Sequence, residues 1–556
     1  MDFRKRAETN ELAPVCLAVP LASSGIADHG IAKDATEVAS PTVELEVGRL
    51  DAEPETSFKT ADIVEEVEQL LRESAPHDFD VLVIGGGSGG CAAALRASEL
   101  GAHVGLINEG DLGGHALQVD HTIRALDESL QLLRKLQTIQ TSGLVLQGAV
   151  RAQWSALHEV ASSAVTQART ELEGRLNASG VTIISGRAQL VEEHVVEVTD
   201  KGQTQRLCAV HIIIATGSKS TRCPLADIST APIFSSEELL DTELPPSLGI
   251  LSAAPRALEI ASLYSSLGVR TVVFDKESVL PRWDAGLARS CEAGLRALGV
   301  QIHTKVEVSR LEASNGAWDI YFSRSNDIPD TSTDALAVNG VDPSPEKGIS
   351  AFLWTAREPS LEYVGVNNAG IQCKGAHIVV DEKCETNVPG VYAIGSCALS
   401  LFPQRARRGS RAVAEGIYVA EIIMHRSTVI EYLHLPGALR TTPPIATVGL
   451  TPAQANAVSL PVRIGTATLR SADNTSEGWV QILADEEGTL LGCQIVGQGA
   501  CELIGEVALA LRGGLRTDDL AAAARVAATP GEALSAAARA ARAEDDGPSS
   551  RPTMMS

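Results

Sequence analysis

Six consecutive small residues, Gly85-Gly86-Gly87-Ser88-Gly89-Gly90, carry the clearest chemistry in the chain. They follow the apolar run Asp80-Val81-Leu82-Val83-Ile84 and open the Ala-rich stretch Cys91 to Leu100, with Val104-Gly105-Leu106-Ile107 beyond. That order predicts strand, turn, helix and strand, with G-x-G-x-x-G at Gly85, Gly87 and Gly90. The three glycines permit the tight turn, the approach of a pyrophosphate and close helix–strand packing. Ser88 and Gly89 then stand where a helix N-terminus offers free N–H groups and a positive dipole end to phosphates.

A second unit of the same plan begins near Ser247. Leu248-Gly249-Ile250-Leu251 predicts a strand, Arg256 to Leu267 a helix, and Thr271-Val272-Val273-Phe274-Asp275 the next strand. Its turn, Ser252-Ala253-Ala254-Pro255-Arg256-Ala257, has no glycine at the three key places. Side chains at Ser252, Ala254 and Ala257 crowd the path of a pyrophosphate, which argues against NAD(P) binding. Asp275 stands where an acid would take a ribose hydroxyl; the alternative is a unit kept for packing alone.

Other reactive side chains are scattered. His103, His115 and His121 with Asp120 lack metal-site spacing, so no metal is expected. Arg405, Arg407, Arg408 and Arg411 form either a solvated helix face or a dock for an acidic partner or phosphate. None of the ten cysteines forms a CxxC, and Cys397 reads as a buried thiol in a reducing compartment.

The elements that position these residues belong to a globular chain of 556 residues, 44% hydrophobic, 21% charged and of net charge −24. That length predicts three or four domains. The acidic balance disfavours a phosphate-binding surface for nucleic acid, and 3% aromatic content gives no stacking platform for single strands. No apolar run is long enough to span a bilayer, so an intracellular soluble protein is expected, cytoplasmic or in an organellar matrix. Residues 1–77 hold seven basic against sixteen acidic side chains and read as an acidic, largely disordered extension. Within it, Ile63, Val64, Val67, Leu70 and Leu71 predict one helix. The Ala-rich stretch Ala521 to Ala541 also reads as helix, and residues 544–556 as a disordered tail.

The order of motifs resembles the pyridine nucleotide–disulfide oxidoreductases, which include dihydrolipoyl dehydrogenase, glutathione reductase and mercuric reductase. Besides the glycine loop, the resemblance rests on Asp111-Leu112-Gly113-Gly114 and Ala215-Thr216-Gly217-Ser218. It continues with Thr386 to Gly395, Ala446-Thr447-Val448-Gly449-Leu450-Thr451 and Glu502-Leu503-Ile504-Gly505-Glu506. It implies an α/β fold of two Rossmann-like domains, of FAD and NAD type, plus a C-terminal α+β dimerisation domain. The implied boundaries are 78–235 for the first part of the FAD domain, 245–355 for the NAD(P)-like domain, 356–430 for the second FAD and central part, and 431–543 for dimerisation. A homodimer, a heterodimer with a related chain or a larger complex would follow.

The same resemblance locates what is lost. The family's redox cysteines fall on Ala116 and His121, and its catalytic base on Ala527, while the acid Glu532 remains. A retained ion pair would join Arg124 to Glu259, either as a remnant of hydride geometry beside the flavin or simply as a pin between two domains. The acid for the adenosine ribose falls on Asn108, with Glu109 adjacent, and the acid of the ribityl site follows Gly395 as Ser396. FAD would therefore bind through Gly85, Gly87, Ser88, Gly89, Gly90, Gly113, Gly114, Ala215, Thr216 and Gly217 with weakened anchors, because charge-assisted hydrogen bonds are about twice as strong as neutral ones. Two functions stay open. One is a catalytically inactive dimeric scaffold or assembly subunit; the other is a repurposed FAD-dependent NAD(P)H oxidoreductase acting on a small non-disulfide acceptor.

Overall fold

The structure is a computed structural model, and it describes residues 77–137, 148, 150–227, 229–324, 345–399, 408–470 and 477–542. The predicted helix at 62–71, the tail, Arg405 and Arg407 lie outside the described residues.

The first sheet has seven strands. Thr182–Ser185, Val104–Asn108, Phe79–Ile84 and Gln203–Ile214 run parallel in that order, and Val391–Ala393 joins the last of them from far along the chain. The Gln203–Ile214 strand continues into an antiparallel meander with Val195–Asp200 and Arg187–Glu192. Parallel strands covered on both faces need continuous apolar runs, and Val81, Leu82, Val83, Ile212, Ile213 and Ile214 are all fully buried.

The glycine loop works as the spacing predicts. Helix Ser88–Glu99 starts directly after the first strand. A Cβ on Gly90 would lie 1.9 Å from the carbonyl oxygen of Gly85, so only glycine allows this helix to approach its strand. Helix Arg408–Ile423 lies across the same helix, and a Cβ on Gly416 would come within 2.4 Å of Gly89 O. Arg96 ties the two helices at their far end, with Nη2 2.7 Å from Glu421 Oε1.

The second sheet has five parallel strands, in the order Gln301–Thr304, Arg270–Asp275, Ser247–Ile250, Ala351–Leu353 and Ile233–Phe234. It recruits its edge strand from before residue 245, so the boundary drawn from sequence falls too late. A third, all-antiparallel sheet of five strands occupies 437–496, and helix Ala500–Arg512 packs on it. The predicted helix over 521–541 is two helices, Thr517–Ala522 and Gly531–Ala540. Ala528 has φ +57° and Pro530 follows, and proline cannot continue the hydrogen-bond ladder of the preceding turn.

Candidate functional site

A cleft of about 840 Å³ runs along the carboxyl ends of the first and second sheets, where open parallel sheets place their ligands. Gly85 to Gly89 form one wall, and Gly113, Gly114, Ala215, Thr216 and Gly217 close it on either side. The Gly113 N–H donates to Gly86 O at 2.7 Å, and Gly87 pairs with Gly113 as an isolated bridge, so the two glycine turns lie back to back. A Cβ on Gly87 would meet no atom within 4 Å. Together with the free N-terminus of helix Ser88–Glu99, that open cradle fits a dinucleotide phosphate.

Asn108 ends the second strand, and its Oδ1 accepts from Gly86 N at 2.8 Å while Nδ2 donates to Gly110 O at 2.8 Å. The amide thus braces the glycine loop. Glu109 follows Asn108 on the cleft lining, where Arg187 engages it through Nε at 3.0 Å and stacks 4.2 Å over the Tyr363 ring. Gly395 and Ser396 line the opposite wall. Beneath them lies Glu415, whose Oε2 accepts from Gly395 N at 2.7 Å and whose Oε1 accepts from Tyr432 Oη at 3.1 Å. Burial pushes the Glu415 carboxyl above its ordinary range, partly offset by the Arg411 charge and these hydrogen bonds. Arg411, one of the basic run, is therefore spent on this turn, donating to Gly395 O.

The second turn is braced in the same way as the first. Asp275 accepts from Ala253 N through Oδ2 and from Glu277 N at 2.8 Å through Oδ1. Its carboxylate holds its own loop, while Ala257 is fully buried under the helix start. Arg256 projects into the cleft, pairing with Asp120 and, at 3.1 Å, with Glu259. This corrects the expected Arg124–Glu259 pair. Arg124 bonds Glu128 one turn along its own exposed helix at 2.8 Å, and Glu259, only 1% exposed, takes Arg256 and the Arg440 N–H at 2.9 Å. Arg124 sits on the outer face of helix His121–Gln137, whereas Arg256 heads a helix whose next turn carries Glu259.

Ala116 lines the cleft at the start of a π-helical turn, Ala116–Asp120, and His121 begins the helix that follows. Among the described residues no cysteine lines the cleft. The nearby thiols are inert: Cys91 donates to Gly86 O at 3.2 Å and is pushed up to about 11 by burial, and Cys397 is fully buried with its thiol raised for the same reason. The histidines do not converge. His103 packs on Phe79, ring centroids 4.8 Å apart, while His115 bonds Glu237.

That last contact was not legible in the sequence. His115 Nδ1 lies 2.5 Å from Glu237 Oε1, which also takes Arg357 Nη1 at 2.7 Å. Arg357 in turn donates to Ser218 Oγ at 3.1 Å and Ser220 Oγ at 3.0 Å. Burial alone would raise the Glu237 carboxyl, but the His115 hydrogen bond and the His115 and Arg357 charges hold it well below the usual range. The signal that could have found it is Ser235-Ser236-Glu237-Glu238, a capping box that starts a short helix with Glu237 in its first turn.

At the far end of the chain, Glu532 is exposed and Ala527 lies in the loop before it. Arg525, two residues before Ala527, bonds Glu506 at 2.6 Å and Ser535 at 2.7 Å. Neither Ala527 nor Glu532 lines the cleft.

Two dinucleotide-type sheets in sequence, a cleft at their carboxyl ends and a separate antiparallel C-terminal domain define a flavoprotein reductase architecture. Residues 79–416 match the pyridine nucleotide-disulphide oxidoreductase model, and residues 435–538 match that family's dimerisation domain. The chain belongs to the pyridine nucleotide-disulphide oxidoreductase family. It is 28% identical over 479 residues to a dihydrolipoyl dehydrogenase of Bacillus subtilis, covering 84% of this chain and 97% of that one. It is 29% identical over 479 residues to dihydrolipoyl dehydrogenase 3 of Haloarcula marismortui, covering 83% and 96%. The crystal structure of LpdA from Mycobacterium tuberculosis superposes with a TM-score of 0.72 at 23% identity, covering 83% of this chain and 99% of that one. The HOCl-induced flavoprotein disulfide reductase RclA of Escherichia coli, solved as a Cu(II) complex, has the same fold at a TM-score of 0.68 and 20% identity.

Proposed function

We propose that this protein is a FAD-binding homodimer of the family that has lost electron transfer from NAD(P)H to a disulfide, and that it serves as a catalytically silent scaffold or assembly subunit. The observation that carries this reading is the cleft lining: Ala116 stands at the mouth of the π turn, and no thiol among the described residues reaches the cavity. Without a thiolate there is no nucleophile for disulfide exchange. Arg256 and Asp275 support it further: Asp275 is committed to the second turn's own Ala253 N–H, and Arg256, at the same turn, to Asp120 and Glu259.

FAD would be held by the glycine loop, the Ser88–Glu99 helix N-terminus, Gly113, Gly114, the Ala215–Gly217 turn and Gly395–Ser396. Bound there, it would supply two-electron redox chemistry. The chain's own residues orient it: Asn108 fixes the loop, and Glu415 with Arg411 fixes the Gly395 turn. The dimerisation domain supports two-fold association, with Leu509 and Val526 at 72% and 76% exposure in the single chain.

One observation favours the second reading, a flavoenzyme acting on a non-disulfide acceptor. The His115–Glu237 pair places a proton-handling group on the cleft wall. Stopped-flow mixing of the purified, FAD-loaded protein with NADH decides between them. Background turnover of lipoamide and glutathione disulfide without rapid flavin bleaching is expected. Bleaching followed by disulfide turnover would overturn the proposal, and bleaching with a quinone but no disulfide would transfer it to the second reading.

A further inference from the structure

We infer that the cleft contains a proton-exchange site, with His115 as the proton-accepting residue, that takes a planar ring bearing an acidic O–H group. The inference deepens the second reading above, and rests on it for the cleft being a ligand site.

The geometry is that of an oriented imidazole. Nδ1 is taken by Glu237 at 2.5 Å, and a carboxylate on one ring nitrogen fixes the Nδ1–H tautomer and leaves a lone pair on Nε2. The side chain of His115 is 27% exposed and lines the cleft. Nε2 makes no hydrogen bond among the described residues. Glu237 is itself positioned, by Arg357 at 2.7 Å and Ser220 Oγ at 3.4 Å, with Arg357 locked to Ser218. Such a chain of base, carboxylate and fixed cation is more than a surface ion pair requires, and its members lie some 120 residues apart in sequence.

The charges on the elements packed against this turn leave His115 its role. Glu237 bonds it directly, and Arg357 pairs with Glu237. On its own segment Asp111 is paired with Arg169 at 3.0 Å, and Asp120 with Arg256. Among the described residues, the carboxylate in contact with the imidazole is thus that of Glu237.

The ligand class follows from the walls. The chain has only five tryptophans, yet Trp283 and Trp354 both line this cleft. Trp354 stands three residues before Arg357, and its Nε1–H donates to Thr221 Oγ1 at 2.9 Å, which fixes the indole beside the same network. Indole faces select flat, apolar rings. In the proton-exchange step the ligand O–H bond breaks, a new N–H bond forms at His115 Nε2, and an oxyanion faces an imidazolium held by Glu237. No electron is transferred.

The test uses the purified full chain with FAD added and 4-nitrophenol as probe, because its yellow phenolate reports the proton transfer by absorbance. Wild-type protein should bind the probe as phenolate at a pH where the free phenol is largely neutral. H115Q should bind it at least about tenfold more weakly and without the phenolate band, the loss expected for a charge-assisted bond. E237Q should fall between them. Nitrogen-15 spectra of histidine-labelled wild type, with and without probe, give a second reading that needs no variant: the His115 ring should pass from the Nδ1–H tautomer to the imidazolium. No probe binding to wild type, an unchanged phenolate band in H115Q, or a His115 signal indifferent to the probe would each overturn the inference. The flavin spectrum of the same samples separates the two failures: FAD retained with no proton transfer sinks this site alone, whereas FAD absent sinks the flavin reading.

Discussion

Replacing Arg256 by methionine isolates the electrostatic tie between the two nucleotide-type domains. The arginine stem is largely kept, and the guanidinium that bonds Asp120 and Glu259 is removed. Glu259 is 1% exposed, and a buried carboxylate deprived of its cation costs about 3–5 kcal/mol. The Arg440 N–H, 2.9 Å from Glu259 Oε1, remains and places the expectation at about 3 kcal/mol. Asp120→Asn removes the outer half of the triad, where the side chains are 21% and 32% exposed, and should cost no more than about 1 kcal/mol. The double variant R256M/E259M removes the stranded charge but leaves the Arg440 N–H without its acceptor, at a cost of about 1–2 kcal/mol. The double variant should thus be more stable than R256M alone, the signature of a coupled pair. Urea unfolding at one fixed protein concentration measures all four chains. If R256M lies within about 0.5 kcal/mol of wild type, or D120N costs as much as R256M, the triad does not tie the domains.

Three further outcomes are expected. Asn108→Glu should tighten FAD by about tenfold, because a carboxylate replaces an amide beside the glycine loop; equilibrium dialysis reading no gain would refute the assignment of Asn108. Burial holds the His303 imidazole below its ordinary value, stacked 5.2 Å from Phe274, so the unfolded chain binds a proton first as pH falls. Wild-type stability should therefore decline from about pH 6.5 downward until the folded-state value is passed, and His303→Phe should flatten that part of the curve in urea titrations. Val526→Glu with Leu509→Glu should shift the dimer toward monomer in light scattering, since both side chains are exposed apolar groups of the dimerisation domain.

What could be read in the sequence is local, and what could not is long-range. Gly90 announces its role because a helix start one turn away from a strand end leaves room for nothing larger, and that geometry is written in six adjacent residues. The Ala-rich stretch after Ala521 is misleading for the opposite reason: helix propensity is uniform along it, and the break is made by a left-handed Ala528 and by Pro530. The resemblance pairs Arg124 with Glu259, but a helix offset of a few residues rotates a side chain to another face, and Arg124 ends on the solvent side. Arg256 reads from sequence only as the start of a helix, since Asp120 is 136 residues away and nothing in either segment names the other. The His115–Glu237 contact is hidden in the same way. These two networks cross the cleft at the places where a disulfide reductase would need a thiol and a nicotinamide, Arg256 beside Asp120 and His115 beside Ala116. Charged groups with partners stand at both places: Arg256 bonds Asp120 and Glu259, and Glu237 is held between an imidazole and a guanidinium. The cleft wall thus presents paired charged groups, from Arg256, Asp120, His115 and Arg357, to any occupant.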